Sequence, residues 1–191
     1  MSEAVPLRIV SGRFWRAIAA DRAASVLDPP GPESAGRYHR PDQPALYITP
    51  ESDWATIAIG RYLLADGVDR VVVPLDLDGA CVFDQRDPEA CAMLGIDPEQ
   101  SQVRWNDELA AGREPPSWRA SDAARSVGAQ GIIDVSRGIE GGWHVCLFEW
   151  NVAGEPQVRV AGEPVACDYW PARGRWPAPA GWTLPEHLDR R

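Results

Sequence analysis

The chain has 191 residues, of which 45% are hydrophobic, which is enough for one globular domain with its own core. Its formal net charge of -9 argues against a general nucleic-acid-binding protein, because that class needs a basic face. All 19 basic residues are arginine, which excludes a Schiff-base lysine and a phosphate loop that depends on lysine.

The cysteines and histidines are too dispersed to predict a metal site. The four cysteines have neither the close spacing of a zinc site nor that of a redox pair. The first residues lack the pattern of a signal peptide, and no apolar run reaches membrane-spanning length. We therefore expect reduced cysteines, a cytoplasmic location, no metal and no membrane contact.

The first predicted elements are two short strands, over residues 7–10 and 13–18. Arg16 interrupts the apolar run of the second strand. A buried arginine needs a partner or an anionic ligand, whereas an arginine at a strand edge can extend its charged end into water. The sequence leaves both readings of Arg16 open.

Residues 36–49 begin as a loop and end as a strand. Gly36 permits a turn, Pro41 and Pro44 exclude a helix, and residues 45–48 form an apolar run typical of a buried strand. At one end of a sheet, this stretch places the side chains of Arg37, Tyr38, His39, Arg40 and Tyr47. Guanidinium groups and aromatic rings together suit a nucleotide. The alternative is an exposed, arginine-rich turn that leads into an ordinary core strand.

The remaining elements follow from hydrophobic periodicity and from the residues that begin or end a helix. Helices are predicted over 54–64, 87–94, 107–111 and 118–127, the last of them capped by Ser117. Strands are predicted over 68–77, 81–83, 131–137, 143–150 and 158–160. After residue 156 the chain is rich in proline and tryptophan, and we expect this tail to pack on the body. The order of elements predicts one mixed α+β domain over residues 1–191.

Three blocks of this sequence resemble the RES domain family, in the family's order. They are the segment 36–47 (GRYHRP…PALY), the helix after it, and the strand 131–136 (GIIDVS) with 143–148 behind it. The resemblance covers roughly residues 10–155. It implies a compact α+β domain with a mixed sheet similar to that of the ADP-ribosyltransferases.

The resemblance also implies a function and a partner. RES proteins are typically toxins of bacterial toxin–antitoxin pairs, and they use NAD as substrate. Some degrade NAD by phosphorolysis or glycohydrolysis, and others transfer ADP-ribose to a protein. The expected partner is an antitoxin with a helix-turn-helix domain that covers the active site. Direct binding of nucleic acid is not expected.

Carried over by position, the resemblance assigns catalytic roles to Arg37, Tyr47 and Ser136. Arg37 is expected to hold the pyrophosphate, Tyr47 to pack against nicotinamide, and Ser136 to hydrogen-bond the ligand. The residues expected to contact NAD are Arg16, Arg37, Tyr38, His39 and Tyr47. From its local sequence alone, without the family, Ser136 is better explained as a turn residue than as a site residue. We also expect Arg37 to be a surface charge that matters little for folding.

The chain departs from the family pattern at one position, because the family glutamate falls on Ala58. A carboxylate there would stabilise the positive charge that develops when the nicotinamide–ribose bond breaks. Glu51 precedes it by about two helical turns, or ~10 Å, which is too far for its side chain to substitute. Two readings remain open: a weak or inactive NAD-binding protein, or an enzyme that takes its acid from elsewhere, such as Asp107 or Glu108.

Overall fold

A computed structural model describes residues 4–60 and 67–167. These residues form one mixed seven-stranded sheet with helices packed against it. The strands are β1 (Leu7–Ala19), β2 (Leu46–Ile48), β3 (Arg70–Asp84), β4 (Gly131–Val135), β5 (Trp143–Leu147), β6 (Gln157–Val160) and β7 (Val165–Ala166). Their order is β1-β3-β4-β5-β2, and β6 and β7 also pair with β3. The predicted α+β class is therefore confirmed.

The sheet is curled, and its two ends meet. β3 pairs in parallel with β4, and the other strand pairs are antiparallel. Beyond β2, Thr49 exchanges two backbone hydrogen bonds with Trp15 of β1, at 2.8 and 2.9 Å. This contact brings Arg16 of β1 and Tyr47 of β2 to the same region of the molecule.

Two long strands replace four short predicted ones. The sequence shows turn residues at Ser11–Gly12 and at Asp78–Gly79, so a break was expected in each place. Instead β1 and β3 pair through the irregularity, and the register shifts between Val10 and Gly12. Gly79 adopts φ 72°, and its N–H is bound by the Ser11 hydroxyl at 2.9 Å. The turn residues thus form a bulge, which bends a strand without ending it.

Pro74 lies inside β3, although proline is usually confined to the edges or bulges of a sheet. β1 covers one side of it, with Trp15 opposite Pro74. On the other side β6 pairs from Leu75 onward and β7 pairs at Val71 and Val72. Proline is tolerated because it lies between these two partners, where its carbonyl accepts from the Ala161 N–H at 2.9 Å.

The helices are α1 (Ser52–Ala58), α2 (Pro88–Leu94), α3 (Trp105–Ala110) and α4 (Ser117–Ser126), with short 3-10 helices at Ala20–Ser25 and Pro98–Gln102. α2 begins and ends as expected: the Asp87 carboxylate accepts from two backbone N–H groups, and Gly95 is left-handed. The predicted capping of α4 by Ser117 is wrong. Ser117 lies inside the helix, and its hydroxyl donates to the Arg37 carbonyl.

The core has two principal parts. One lies within the curl of the sheet and includes Phe14, Leu75 and Leu147. The other lies between the sheet and helices α2 and α4, and it includes Phe83 and Ala124. Helix α4 is therefore fixed to the sheet, and the loop before β2 packs against it.

Some expectations fall outside the described residues. These are the end of the helix predicted over 54–64 and the tail tryptophans Trp170, Trp176 and Trp182. No helix within the described ranges has both the length and the apolar character needed to cross a membrane. In the same ranges, no three His, Cys, Asp or Glu side chains are grouped closely enough to hold a metal ion.

Candidate functional site

A cavity of about 610 Å³ opens between the curled sheet, α1, and the start of α3. This volume lies within the range of roughly 300–1,000 Å³ that is usual for ligand pockets. The sequence-predicted residues that line it are Arg16, Arg37, His39, Tyr47 and Ser136. The tertiary structure therefore brings together five candidates from three separate segments of the chain.

The loop that carries Arg37 is held rigidly on α4. The Trp118 indole N–H donates to the Gly36 carbonyl at 2.8 Å, and the Ser117 hydroxyl donates to the Arg37 carbonyl. Arg40 stacks over the Trp118 ring at 4.8 Å and pairs with Asp122 at 2.7 Å. The cavity wall is thus preorganised by backbone contacts, which costs little further ordering when a ligand binds.

Arg37 is not the surface charge that the sequence suggested. Only 6% of its surface is exposed, and its Nη1 lies 2.7 Å from an Asp134 carboxylate oxygen. Its Nε donates to the Ser101 carbonyl at 2.8 Å. Nη2 is buried and has no hydrogen-bond partner among the described residues. Arg37 therefore joins the loop to β4, and its bonds to Asp134 and Ser101 leave no two-pronged clamp for a ligand in this conformation.

Tyr38 does not line the cavity. The side chain is fully buried, so the expected contact with a ligand ring is not made in this structure. Its hydroxyl donates to Asp134 at 2.5 Å and lies 3.4 Å from the Gln85 amide oxygen. Tyr38 thus supports Asp134, which in turn holds Arg37.

Sequence reasoning missed Asp134, although a signal was present. An acidic residue lies in the apolar run of β4, as Arg16 does in β1. The carboxylate is 2% exposed. Burial raises the pKa of Asp134, and the Arg37 guanidinium and the Tyr38 hydroxyl oppose that shift.

His39 and Tyr47 form a tight pair at the base of the loop. Nδ1 of His39 lies 2.9 Å from the Tyr47 hydroxyl, and that hydroxyl accepts from the Tyr38 N–H at 2.9 Å. A Cβ on Gly36 would lie 2.4 Å from His39 Cε1, so this turn has room only for glycine. Within the part of the chain that the structure describes, the buried Nε2 of His39 has no hydrogen-bond partner. Burial, and then the charge of Arg125, lower the pKa of His39 to about 4.

The surroundings of Arg16 favour a buried arginine that needs a partner or an anionic ligand over an arginine at a strand edge. Its Nη1 donates to the Val26 carbonyl at 2.8 Å, and no carboxylate among the described residues lies within ion-pair distance of it. Burial, and then the neighbouring charge of Arg22, lower the pKa of Arg16 to about 10, so the group remains a cation at neutral pH. A half-buried cation with only a carbonyl partner favours an anionic ligand.

Two helices complete the wall. Ala58, at the end of α1, is exposed and lines the cavity. The residues at the start of α3 that reach the cavity are Arg104, Trp105 and Asn106. The acids considered as replacements lie elsewhere: Asp107 pairs with Arg104 at 3.4 Å, and Glu108 pairs with Arg113 at 2.7 Å. Among the described residues that line the cavity, none is Asp or Glu.

Ser136 is a turn residue that also lies on the cavity lining. Its hydroxyl accepts from the Gly138 N–H at 3.3 Å, as expected of a turn residue, and the residue lines the cavity. His144, which lies within the predicted strand 143–150, lines the cavity as well. Burial, followed by the charges of Arg37 and Arg137, lowers the pKa of His144 to about 3. At neutral pH the cavity therefore has two uncharged imidazoles beside its arginines.

These histidines predict an acid-sensitive fold. Both folded-state pKa values, about 4 for His39 and about 3 for His144, lie below the ordinary value of 6.5. Above about pH 6.5 both histidines are neutral in the folded and in the unfolded chain, so no stability is lost through them. As the pH falls from about 6.5 towards 4, the unfolded chain binds up to two more protons than the folded chain. We therefore expect the free energy of unfolding to fall over this range in urea titrations, and to fall less steeply in the His39→Gln, His144→Gln double variant. If the free energy of unfolding falls equally steeply in the variant and in the wild type, these two histidines do not cause the acid sensitivity.

Comparisons with known proteins agree with this architecture. The model of the RES domain family matches residues 13–170. A chain in the crystal structure of the M. tuberculosis MbcT–MbcA toxin–antitoxin complex superposes with a TM-score of 0.58 at 17% identity, over 84% of this chain and 86% of that one. At this identity the likeness shows the fold alone. Comparison with curated proteins gives no match.

Proposed function

This chain belongs to the RES domain family, and we propose that its cavity binds NAD as a substrate and breaks the nicotinamide–ribose bond slowly. The observation that carries the proposal is a cavity lined by arginines and aromatic rings, with no carboxylate among its described lining residues. The first feature supports binding of a dinucleotide. The second supports slow chemistry.

Binding rests on two kinds of contact. Among the described residues, Arg16 lacks a carboxylate partner and the buried Nη2 of Arg37 lacks a hydrogen-bond partner. Both are suited to the pyrophosphate, because arginine donates to phosphate oxygens through a charged planar group. Tyr47 and Trp105 offer ring faces to the nicotinamide or the adenine. Ser136 lies beside them and can hydrogen-bond a ribose hydroxyl.

The reaction would proceed by displacement at the ribose. The bond between C1′ and the nicotinamide nitrogen breaks, and its electron pair leaves with nicotinamide. An oxygen of the acceptor forms the new bond to C1′ and loses its proton. The acceptor is phosphate in phosphorolysis, water in glycohydrolysis, or a protein side chain in ADP-ribosyl transfer. Positive charge develops at C1′, and a missing carboxylate costs about 10²–10³ in rate.

Titration with NAD and a nicotinamide-release assay test the proposal. We expect NAD to bind to the pure protein and nicotinamide to appear slowly, over many hours of incubation. Parallel reactions without phosphate, with phosphate, and with the cell's soluble proteins identify the acceptor. An Arg16→Gln variant should bind NAD more weakly, whereas the exposed Arg119→Gln serves as the matched control. Failure of NAD to bind would overturn the proposal.

One alternative is favoured by a specific observation. With no carboxylate among the described lining residues, the cavity can bind the dinucleotide without breaking it. Such a protein would act by sequestering the nucleotide or by binding a partner. The structural neighbour comes from a toxin–antitoxin complex, and we extend to this chain an antitoxin partner that covers the cavity. Binding of NAD with no nicotinamide release under any condition would select this alternative.

A further inference from the structure

His144 presents to the cavity an imidazole that has no polar partner within the described chain. The residue is half-buried and lines the cavity. Among the described residues, neither a hydrogen bond nor an ion pair involves its ring. The buried side-chain nitrogens without a partner include Nε2 of His39 but neither ring nitrogen of His144, so both nitrogens of His144 are open to the cavity. A polar group in such a wall favours contact with a ligand, because an apolar side chain would pack there at lower cost.

The fold holds this imidazole at a defined place. Side chains alternate along β5, and Trp143 and Val145 pack in the core within the curl of the sheet. His144 therefore lies on the opposite face of the strand, which it shares with Cys146 of the second core. Its ring centroid is 6.4 Å from that of Tyr38, in the loop before β2. The imidazole is thus positioned by a strand and by the loop that is fixed on α4.

The surroundings of His144 keep its imidazole uncharged. The titratable and charged groups near it, from the loop, the two neighbouring strands, the turn after β4 and its own strand, are Arg37, Tyr38, Tyr47, Asp134, Arg137 and Cys146. Asp134 lies opposite His144 in the pairing of β4 with β5, but its carboxylate is bound by Arg37 and Tyr38. Burial, followed by the charges of Arg37 and Arg137, lowers the pKa of His144. At neutral pH the open nitrogens therefore include one that can accept a proton.

The other polar groups considered for this role are unsuitable as proton acceptors. Nδ1 of His39 lies 2.9 Å from the Tyr47 hydroxyl, and Nε2 of His39 is buried. Burial raises the pKa of Tyr47 well above its ordinary value, so Tyr47 is a neutral phenol at neutral pH. The hydroxyl of Ser136 is not basic. Since the described lining contains no Asp or Glu, His144 is the base in that lining that a bound acceptor can reach.

We propose that His144 is the general base of the reaction and takes the proton of the attacking acceptor. With water as the acceptor, the water oxygen forms a bond to C1′ of the ribose and one of its protons passes to the imidazole. The bond from C1′ to the nicotinamide nitrogen breaks, and nicotinamide leaves with the electron pair. The imidazolium then releases the proton to solvent. The inference rests on the proposed function, because it supplies one step of that reaction.

Binding of the dinucleotide strengthens this base. Burial and the charges of Arg37 and Arg137 lower the pKa of His144, which weakens its hold on a proton. A pyrophosphate beside Arg37 offsets part of that positive charge, so the pKa of the imidazole rises towards its ordinary value. A base whose pKa is closer to the working pH removes the proton more efficiently. The substrate thus prepares the group that acts on its attacker.

Nicotinamide release by His144→Gln tests the role of the imidazole. Glutamine keeps a polar side chain but cannot take up a proton at neutral pH. In phosphate-free buffer we expect its rate to fall about 10²-fold, because a general base typically contributes at least that much. Kd for NAD should change by less than about threefold, since the arginines that hold the phosphates are unchanged. NAD labelled in the nicotinamide ring keeps rates this slow measurable.

Chemical rescue separates a base from a histidine that only supports the wall. His144→Ala opens space beside the cavity, and added imidazole should restore nicotinamide release in proportion to its unprotonated form. At a fixed total concentration of imidazole, the restored rate therefore rises with pH. The matched control is His144→Gln, whose side chain fills the site and whose rate imidazole should not change. If the alanine variant proves unfolded in urea titrations, the rate of the glutamine variant decides.

The outcomes distinguish this inference from the proposed function. If His144→Gln releases nicotinamide as fast as the wild type, His144 is not the base and the proposed function stands. A slow, folded His144→Ala variant that imidazole does not restore overturns the role of base as well. If the wild type binds NAD without any release, both the slow chemistry and its base are wrong. If NAD does not bind, the proposed function fails first and the base fails with it.

Discussion

Replacing Arg37 with alanine is expected to destabilise the protein by about 3–5 kcal/mol, because the change leaves the Asp134 carboxylate buried without its cation. The pair is 2.7 Å apart, and the two side chains are 6% and 2% exposed. The Tyr38 hydroxyl, which also binds Asp134, does not neutralise its charge. Urea unfolding followed by circular dichroism measures the effect.

Two controls separate charge from volume in this experiment. The exposed Arg119→Ala should change the free energy of unfolding by less than about 0.5 kcal/mol. The double variant Arg37→Met, Asp134→Leu removes both charges and should recover much of the lost stability, since a buried ion pair is often replaceable by apolar groups. If Arg37→Ala is as stable as the wild type, the buried pair does not hold the loop to β4.

Introducing a glutamate at Ala58 is expected to accelerate nicotinamide release by up to about 10²–10³-fold. Ala58 is exposed and lines the cavity, so the longer side chain enters open space. The charge lies at the end of α1, where an acid costs about 0.3–1 kcal/mol through the helix dipole. Initial rates of nicotinamide release from NAD, compared at equal protein concentration, give the result.

Ala58→Gln provides the matched control, because it has the size of glutamate without the charge and should leave the rate near that of the wild type. We expect the rate of nicotinamide release to rise in Ala58→Glu, because the acids of α3 do not line the cavity. It reaches the cavity through Arg104, Trp105 and Asn106, while Asp107 and Glu108 pair with arginines. A slower Ala58→Glu variant would indicate that an acid already serves the site, and that the two carboxylates repel each other.

Local sequence was sufficient for the features that depend on neighbours in the chain. Helix α2 follows from Asp87 at its start and Gly95 at its end, and both act as expected. The strand before Thr49 follows from an apolar run after two prolines. The family was also evident from the sequence, because its blocks retain their order and spacing, and the family model confirms it.

The lengths of β1 and β3 were harder to predict, because residues that form turns can either end a strand or form a bulge within it. Gly12 and Gly79 look like ends of strands, yet β1 and β3 continue past both as one pair, with a bulge where the register shifts. Only the pairing of β1 with β3 distinguishes the two cases. A strand that ends and a strand that continues through a bulge have the same local residues. Backbone hydrogen bonds to a partner strand decide which of the two forms.

The sequence by itself determined the class of fold, the family, and the set of residues from which the site is built, including a cation within an apolar strand at Arg16. Tertiary structure decided which of them line the cavity. It buried Arg37 against Asp134, withdrew Tyr38 behind the wall, and added His144. The physical reason is that a side chain's burial and its charge partners come from segments distant in the chain, and no local pattern of residues encodes them.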